Sequence, residues 1–369
     1  MLPVNGTLAQ ALHNPTTEQK GKTARVIPKF DELSAAAARA RDENRDDEAI
    51  RLYQQALAVR PAWPEGLWYL STLYYERERY ADARDVLRRF LTTDSTAGPG
   101  WALLGMSEFQ THEYPRSLDH LERAMSLGLG DRKEMAQSVF YFVGALRTRF
   151  ERYDDSMTFL MSMVKSGSPI DLLVEPIGLS ALRMPLLPAE IPADRREMIR
   201  MAGQGALALE AQNRTEAERL FSEMAKSFPN EIGVHFLYGA FLLDVRPGDG
   251  IAEMKRELQI SPFNTTARLR LAEQYLKDQK MDQALPLAEE AVKLEPDHPP
   301  AHMMLGEILV AKEDLAGGIR ELELAEKGAP QMVRIRWDLL RAYTTVGRKD
   351  DAQREKEEIE KLNRPGNGQ

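Results

Sequence analysis

The sequence predicts an all-α chain of stacked helical hairpins, and three observations predict it. Small residues recur every 34 positions, as Ala49, Ala83 and Ser117 early in the chain and as Ala284, Gly318 and Ala352 late in it. Pro262, Pro296 and Pro330 keep the same interval. Each period also holds two apolar patterns of helical length. A fixed period of this size marks a repeat architecture, in which each unit buries its apolar face only against its neighbours.

The elements follow in chain order. Residues 1–29 have too little apolar content to pack and are expected to form a flexible leader. A first repeat block spans 30–165, with units starting near Phe30, Pro64, Gly98 and Gln137. Residues 166–197 break the period. Pro169, Pro176, Pro185, Pro188 and Pro192 imply a short helix near Leu172–Met184 and then an extended MPLLPAEIP. That insert reads either as a spacer between blocks or as a segment lying in the protein's own groove. A second block spans 198–362, with units starting near Met198, Glu231, Thr265, Pro299 and Val333. Residues 363–369 read as a disordered tail.

The segments DEAIRLYQQALAVRP (47–61) and DQALPLAEEAVKLEP (282–296) share one pattern. A small residue is followed by Tyr53 or Ala288, then by Ala56 or Ala291, then by a closing Pro61 or Pro296. Upstream halves carry Trp101–Leu104–Gly105, Leu271–Ala272–Tyr275 and Leu305–Gly306–Leu309. With its 34-residue period, this pattern resembles the tetratricopeptide repeat. The resemblance implies a right-handed superhelical solenoid of about nine helix-turn-helix repeats. It also implies that the first helix of each unit lines a concave groove that receives another protein. Carried over residue by residue, the implied peptide-binding positions are Trp68, Tyr69 and Tyr75 in the second unit and Leu103, Met106 and Phe109 in the third. They continue as Tyr141 and Phe142 in the fourth, His235 and Phe236 in the sixth, and Arg334, Trp337 and Arg341 in the ninth. Aromatics of this kind can anchor an interface, but they can equally be packed between repeats. The carboxylate-clamp residues of one subgroup are absent: their places hold Ser34, Ala38, Tyr69, Pro99 and Leu103. On this reading Trp68 belongs to the groove and Trp101 to the core.

Composition narrows the function classes. The chain has 369 residues, 49 Lys plus Arg against 57 Asp plus Glu, and a formal charge of −8. That acidic balance argues against general nucleic-acid binding and against adhesion to an anionic membrane. With no cysteine, thiolate metal sites and cysteine nucleophiles are excluded. Neither a nucleophile elbow nor a phosphate loop nor an HExxH pair occurs. His298 and His302 flank two prolines without a third ligand, so no metal site is expected, and no cofactor or catalytic residue either. The expectation is therefore a non-enzymatic adaptor for a protein or peptide partner. The alternative is a scaffold that self-associates through its end repeats or convex face. The sequence as given reads as cytoplasmic, or as exported if a signal peptide precedes it.

Overall fold

The computed structural model describes residues 28–364, and no strand occurs among them. The leader expected over 1–29 lies outside the described residues apart from the start of the first helix, as does the tail from 365. The chain divides into two compact units, Met1–Asp194 and Arg195–Gln369. The first holds four hairpins: α1 (Pro28–Asp42) with α2 (Asp46–Val59), α3 (Pro64–Glu76) with α4 (Tyr80–Thr93), α5 (Gly98–Gln110) with α6 (Tyr114–Leu127), and α7 (Lys133–Arg149) with α8 (Tyr153–Lys165). A further helix, α9 (Ile170–Ala181), follows them. The second unit holds five: α10 (Arg196–Glu210) with α11 (Arg214–Ser227), α12 (Val234–Val245) with α13 (Pro247–Ile260), and α14 (Thr265–Lys277) with α15 (Met281–Leu294), then α16 (Pro299–Ala311) with α17 (Leu315–Gly328), and α18 (Val333–Thr345) with α19 (Lys349–Leu362). These nine hairpins among the described residues match the count the period predicts. The fourth starts at Lys133, earlier than the expected Gln137.

Local chemistry sets the helix ends. Pro64, Pro247 and Pro299 open helices, where a missing backbone donor is harmless and the fixed φ fits. Asn213, Asn264 and Asp314 cap α11, α14 and α17 by accepting from the backbone N–H three residues on. Most hairpins turn on one residue with positive φ, and this residue also keeps the period: Asn44, Glu78 and His112 in the first unit, Gln279, Glu313 and Gly347 in the second.

Four of the hairpins close on a contact between a glycine and a larger residue sixteen positions later. A Cβ added to Gly105 would lie 2.7 Å from Leu121 Cγ, and one on Gly144 would lie 2.5 Å from Leu160 Cδ2. On Gly205 it would meet Phe221 at 2.3 Å, and on Gly306 it would meet Leu322 at 2.7 Å. No side chain fits there, so the paired helices approach closely. The small residue on the second helix meets the same glycine's carbonyl. Ser117 Oγ donates to Gly105 O at 2.7 Å, and Ser156 Oγ donates to Gly144 O at 2.8 Å.

A second device ties four of the hairpins to the turn before them. Trp101 Nε1 donates to Ser95 O at 2.9 Å, and Arg336 Nε donates to Pro330 O at 3.0 Å. His235 Nε2 and His302 Nε2 sit 2.9 and 2.7 Å from Pro229 O and Pro296 O. In each case the other side of the group faces the second helix of its own hairpin: His120, Glu355, Glu253 and Glu321 respectively. The carbonyls of the closing turns are thereby satisfied rather than left unpaired.

The insert packs within the first unit. Helix α9 begins two residues before the expected Leu172 and ends at Ala181, and it accommodates Pro176 internally. Leu173, Ile177, Leu179 and Leu182 are buried, and Ser180 Oγ donates to Tyr153 O at 2.9 Å. Beyond it, Arg149 Nη1 donates to Pro185 O at 2.9 Å, while Leu187 and Ile191 are buried.

Several residues expected in a groove are core. Trp68 is only 2% exposed and packs on Phe90, with ring centroids 5.7 Å apart. Tyr69 is buried beside Tyr53, with the Arg41 guanidinium 3.7 Å from its ring centroid. Leu103, Met106 and Phe236 are buried as well, and His235 is committed to the tie just described. The physical reason is crowding: α3 and α5 each pack against their own second helix, against the preceding hairpin and against the next first helix. Gly66 through Tyr75 are buried without interruption. Trp101, expected in the core, is half-buried, with the Arg123 guanidinium 4.2 Å from its ring centroid.

The stabilities of the two tryptophan variants should therefore be the reverse of the sequence-based expectation. Trp68→Ala is expected to cost about 3–5 kcal/mol in urea unfolding, the range for a deleted core aromatic. Trp101→Ala should cost clearly less, since part of its surface already faces water. Equal losses, or a larger loss for Trp101→Ala, would contradict this assignment.

Candidate functional site

The remaining predicted positions gather in two clefts, one in each unit. In the second unit, α18 places Arg334, Trp337 and Arg341 along one helical stripe, at spacings of three and four. They line a cavity of about 750 Å³, together with Glu307 and Val310 of α16 and Leu276 of α14. Trp337 is 49% exposed, the only tryptophan among the described residues so open to solvent. Its flanking arginines are held in place. Arg334 grips Glu307 with two bonds, Nε to Oε1 at 3.0 Å and Nη2 to Oε2 at 3.1 Å, the geometry that best fixes a guanidinium. Arg341 donates to the buried Asp338.

The acidic half of this cleft was missed by the sequence reading. Glu307 and Asp338 carry no motif, and only the stacking of α16 beside α18 brings them together. Burial pushes the Glu307 carboxyl up to about 7, and the Asp338 carboxylate adds to the effect while Arg334 opposes it. Asp338 Oδ2 is buried without a hydrogen-bond donor, so a proton on Glu307 would give it one. Stacking four ionisable groups under an exposed tryptophan makes a small site with a polar floor and an apolar wall.

In the first unit, Tyr75, Phe109, Tyr141 and Phe142 line a cavity of about 620 Å³. Tyr75 and Phe142 are themselves buried, and Phe109 and Tyr141 are half-buried. Residues Leu187–Glu190 of the insert form part of this cavity's wall. Thus seven of the thirteen predicted positions border a cleft. The other six, Trp68, Tyr69, Leu103, Met106, His235 and Phe236, do not.

Glu307 gives a pH prediction with a definite sign. Its proton is bound more tightly in the fold than at the ordinary value of 4.5. Its contribution to stability is therefore complete below about pH 4.5 and is lost as pH rises toward about 7. Thermal unfolding of the wild type should lose stability across that window relative to Glu307→Gln. If the two pH profiles run parallel, the carboxyl is not perturbed in this way.

The sequence profile described as tetratricopeptide repeat matches residues 35–100 and 269–333. No curated protein sequence matches the chain. Among solved structures, a MamA double mutant (RS-1) is 19% identical, with a TM-score of 0.42, over 47% of this chain and 98% of the other. MamA from Desulfovibrio magneticus RS-1 is 22% identical, with a TM-score of 0.39, over 45% and 93%. The APC/C hetero-tetramer Cut9-Hcn1 gives 12% identity and a TM-score of 0.40 over 92% and 88%. These likenesses are too distant to say what this chain binds. The profile matches fall on hairpins of both units, and three of the hairpins between them, α5/α6, α7/α8 and α10/α11, keep the same glycine contact. The repeats support a protein-interaction scaffold, and the chain carries tetratricopeptide repeats over these two stretches.

Proposed function

We propose that the protein is a non-enzymatic adaptor that holds a segment of a partner protein in the cleft formed by α14, α16 and α18. One observation carries this reading: Trp337 stands 49% exposed between Arg334 and Arg341, over a cavity of about 750 Å³. An exposed tryptophan flanked by arginines is the composition of an interface hot spot. Both guanidiniums are pre-oriented by carboxylates, so little side-chain freedom is lost on binding. The polar floor can pair a ligand's backbone or side-chain groups, while Trp337, Val310 and Leu276 cover its apolar part.

A second reading has its own support. Phe263 and Ile232, in turns of the second unit, are 77% and 58% exposed, and exposed apolar groups of this size favour self-association. Light scattering over a concentration series separates the two, because only self-association raises the mass.

The test of the adaptor is affinity capture from the native host with mass spectrometry, comparing wild type with Trp337→Ala and Arg341→Ala. A captured partner should be lost from both variants, its binding weakened by about 2 kcal/mol or more, while the melting temperature of Trp337→Ala stays near wild type. Retention of every partner by both variants would remove this cleft as the binding site.

A further inference from the structure

The cleft of the first unit differs from the second in its chemistry. Six phenyl and phenol rings border it, those of Tyr75, Tyr80, Phe109, Tyr114, Tyr141 and Phe142, together with the His112 imidazole, whose Nδ1 lies 2.6 Å from the Tyr114 hydroxyl. They pack on one another, Tyr75 with Tyr80 at 5.2 Å, Phe109 with Phe142 at 4.4 Å and Phe109 with Tyr114 at 5.5 Å between centroids. The charges on its border are those of Glu76, Glu78 and Glu190, and no lysine or arginine is among the lining residues described. Glu190 is partly engaged, accepting from Leu187 N at 2.8 Å and lying 3.8 Å from Arg149 Nε. Burial raises the Tyr75 and Tyr141 phenols, which therefore stay neutral and contribute ring faces and hydroxyls rather than charge. A cavity of about 620 Å³ with aromatic walls and an anionic rim has one complementary ligand class. A cation gains from the negative faces of the rings and from the carboxylates together, whereas an acidic ligand would be repelled.

We propose that this aromatic cleft is a second docking site, one that receives an arginine or lysine side chain presented by an extended segment of a partner protein. The insert is part of the site, because Leu187–Glu190 supply one wall and one of its carboxylates. The role of the irregular segment is then neither a bare spacer nor a plug. It completes a pocket that the hairpins alone leave open. This site is independent of the α18 cleft, and the two can fail separately.

The experiment is a random-peptide phage display panned on the full chain, followed by fluorescence anisotropy of the enriched peptides. Enriched sequences should carry a fixed Arg or Lys, and replacing it by citrulline or acetyl-lysine should abolish binding. The double variant Glu76→Gln/Glu78→Gln should weaken the same peptides about tenfold or more. Ser138→Trp, which places bulk in the cavity from its border, should block them. Both variants should melt like wild type, and Trp337→Ala should bind these peptides normally. Three results would overturn the proposal: no enrichment of basic residues, peptides indifferent to the charge-removing and cavity-filling variants, or peptides lost only with Trp337→Ala. The last would place them in the other cleft and leave the adaptor reading standing.

Discussion

The fold depends on one close approach, repeated along the chain. A glycine on the first helix of a hairpin meets a leucine or phenylalanine sixteen residues later, as in Gly105–Leu121, Gly144–Leu160, Gly205–Phe221 and Gly306–Leu322. Because no Cβ fits, the two axes stay at the short end of helix packing distances. That spacing fixes which face of each first helix turns toward its partner. The remaining faces meet the neighbouring hairpins, so the repeats stack. The ties from Trp101, His235, His302 and Arg336 to the preceding turns then set how one hairpin follows the next. Each tie joins a polar side chain to a backbone carbonyl of the preceding turn.

Stacking has a functional consequence. First helices are enclosed on most sides, as in α3, whose residues from Gly66 to Tyr75 are all buried. Little of a repeat's apolar surface is left to bind anything. Two of the clefts that remain lie beside first helices. One is aromatic with an acidic rim, and the other carries arginines braced by carboxylates around Trp337. Their chemistry differs, so the ligand segments proposed for them differ as well.

The repeat period, the small residues and the terminating prolines were legible in the sequence because each is a local demand repeated at fixed spacing. Nine hairpins follow from them. The groove was only partly legible. Trp68 and Trp337 look alike as sequence, each an aromatic on the first helix of its unit, but α3 is flanked by hairpins that cover Trp68, while Trp337 on α18 stays 49% exposed. Burial is a property of the neighbours, not of the position in the repeat. The carboxylates Glu307 and Asp338 were invisible for the same reason, since they meet only across two hairpins. His235 and His302 gave a readable signal after the fact: each lies six residues after a terminating proline whose carbonyl it meets.

Hydroxyl-radical footprinting of the intact chain tests this account most directly, because it needs no partner and reads each tryptophan separately. If stacking closes the first helices and leaves the α18 cleft open, Trp337 is oxidised fastest, Trp63 and Trp101 at intermediate rates, and Trp68 stays protected until the fold melts. Oxidation of Trp68 as fast as Trp337 in the folded protein would contradict it, and with it the claim that packing between repeats, rather than position within the repeat, decides where this protein can bind.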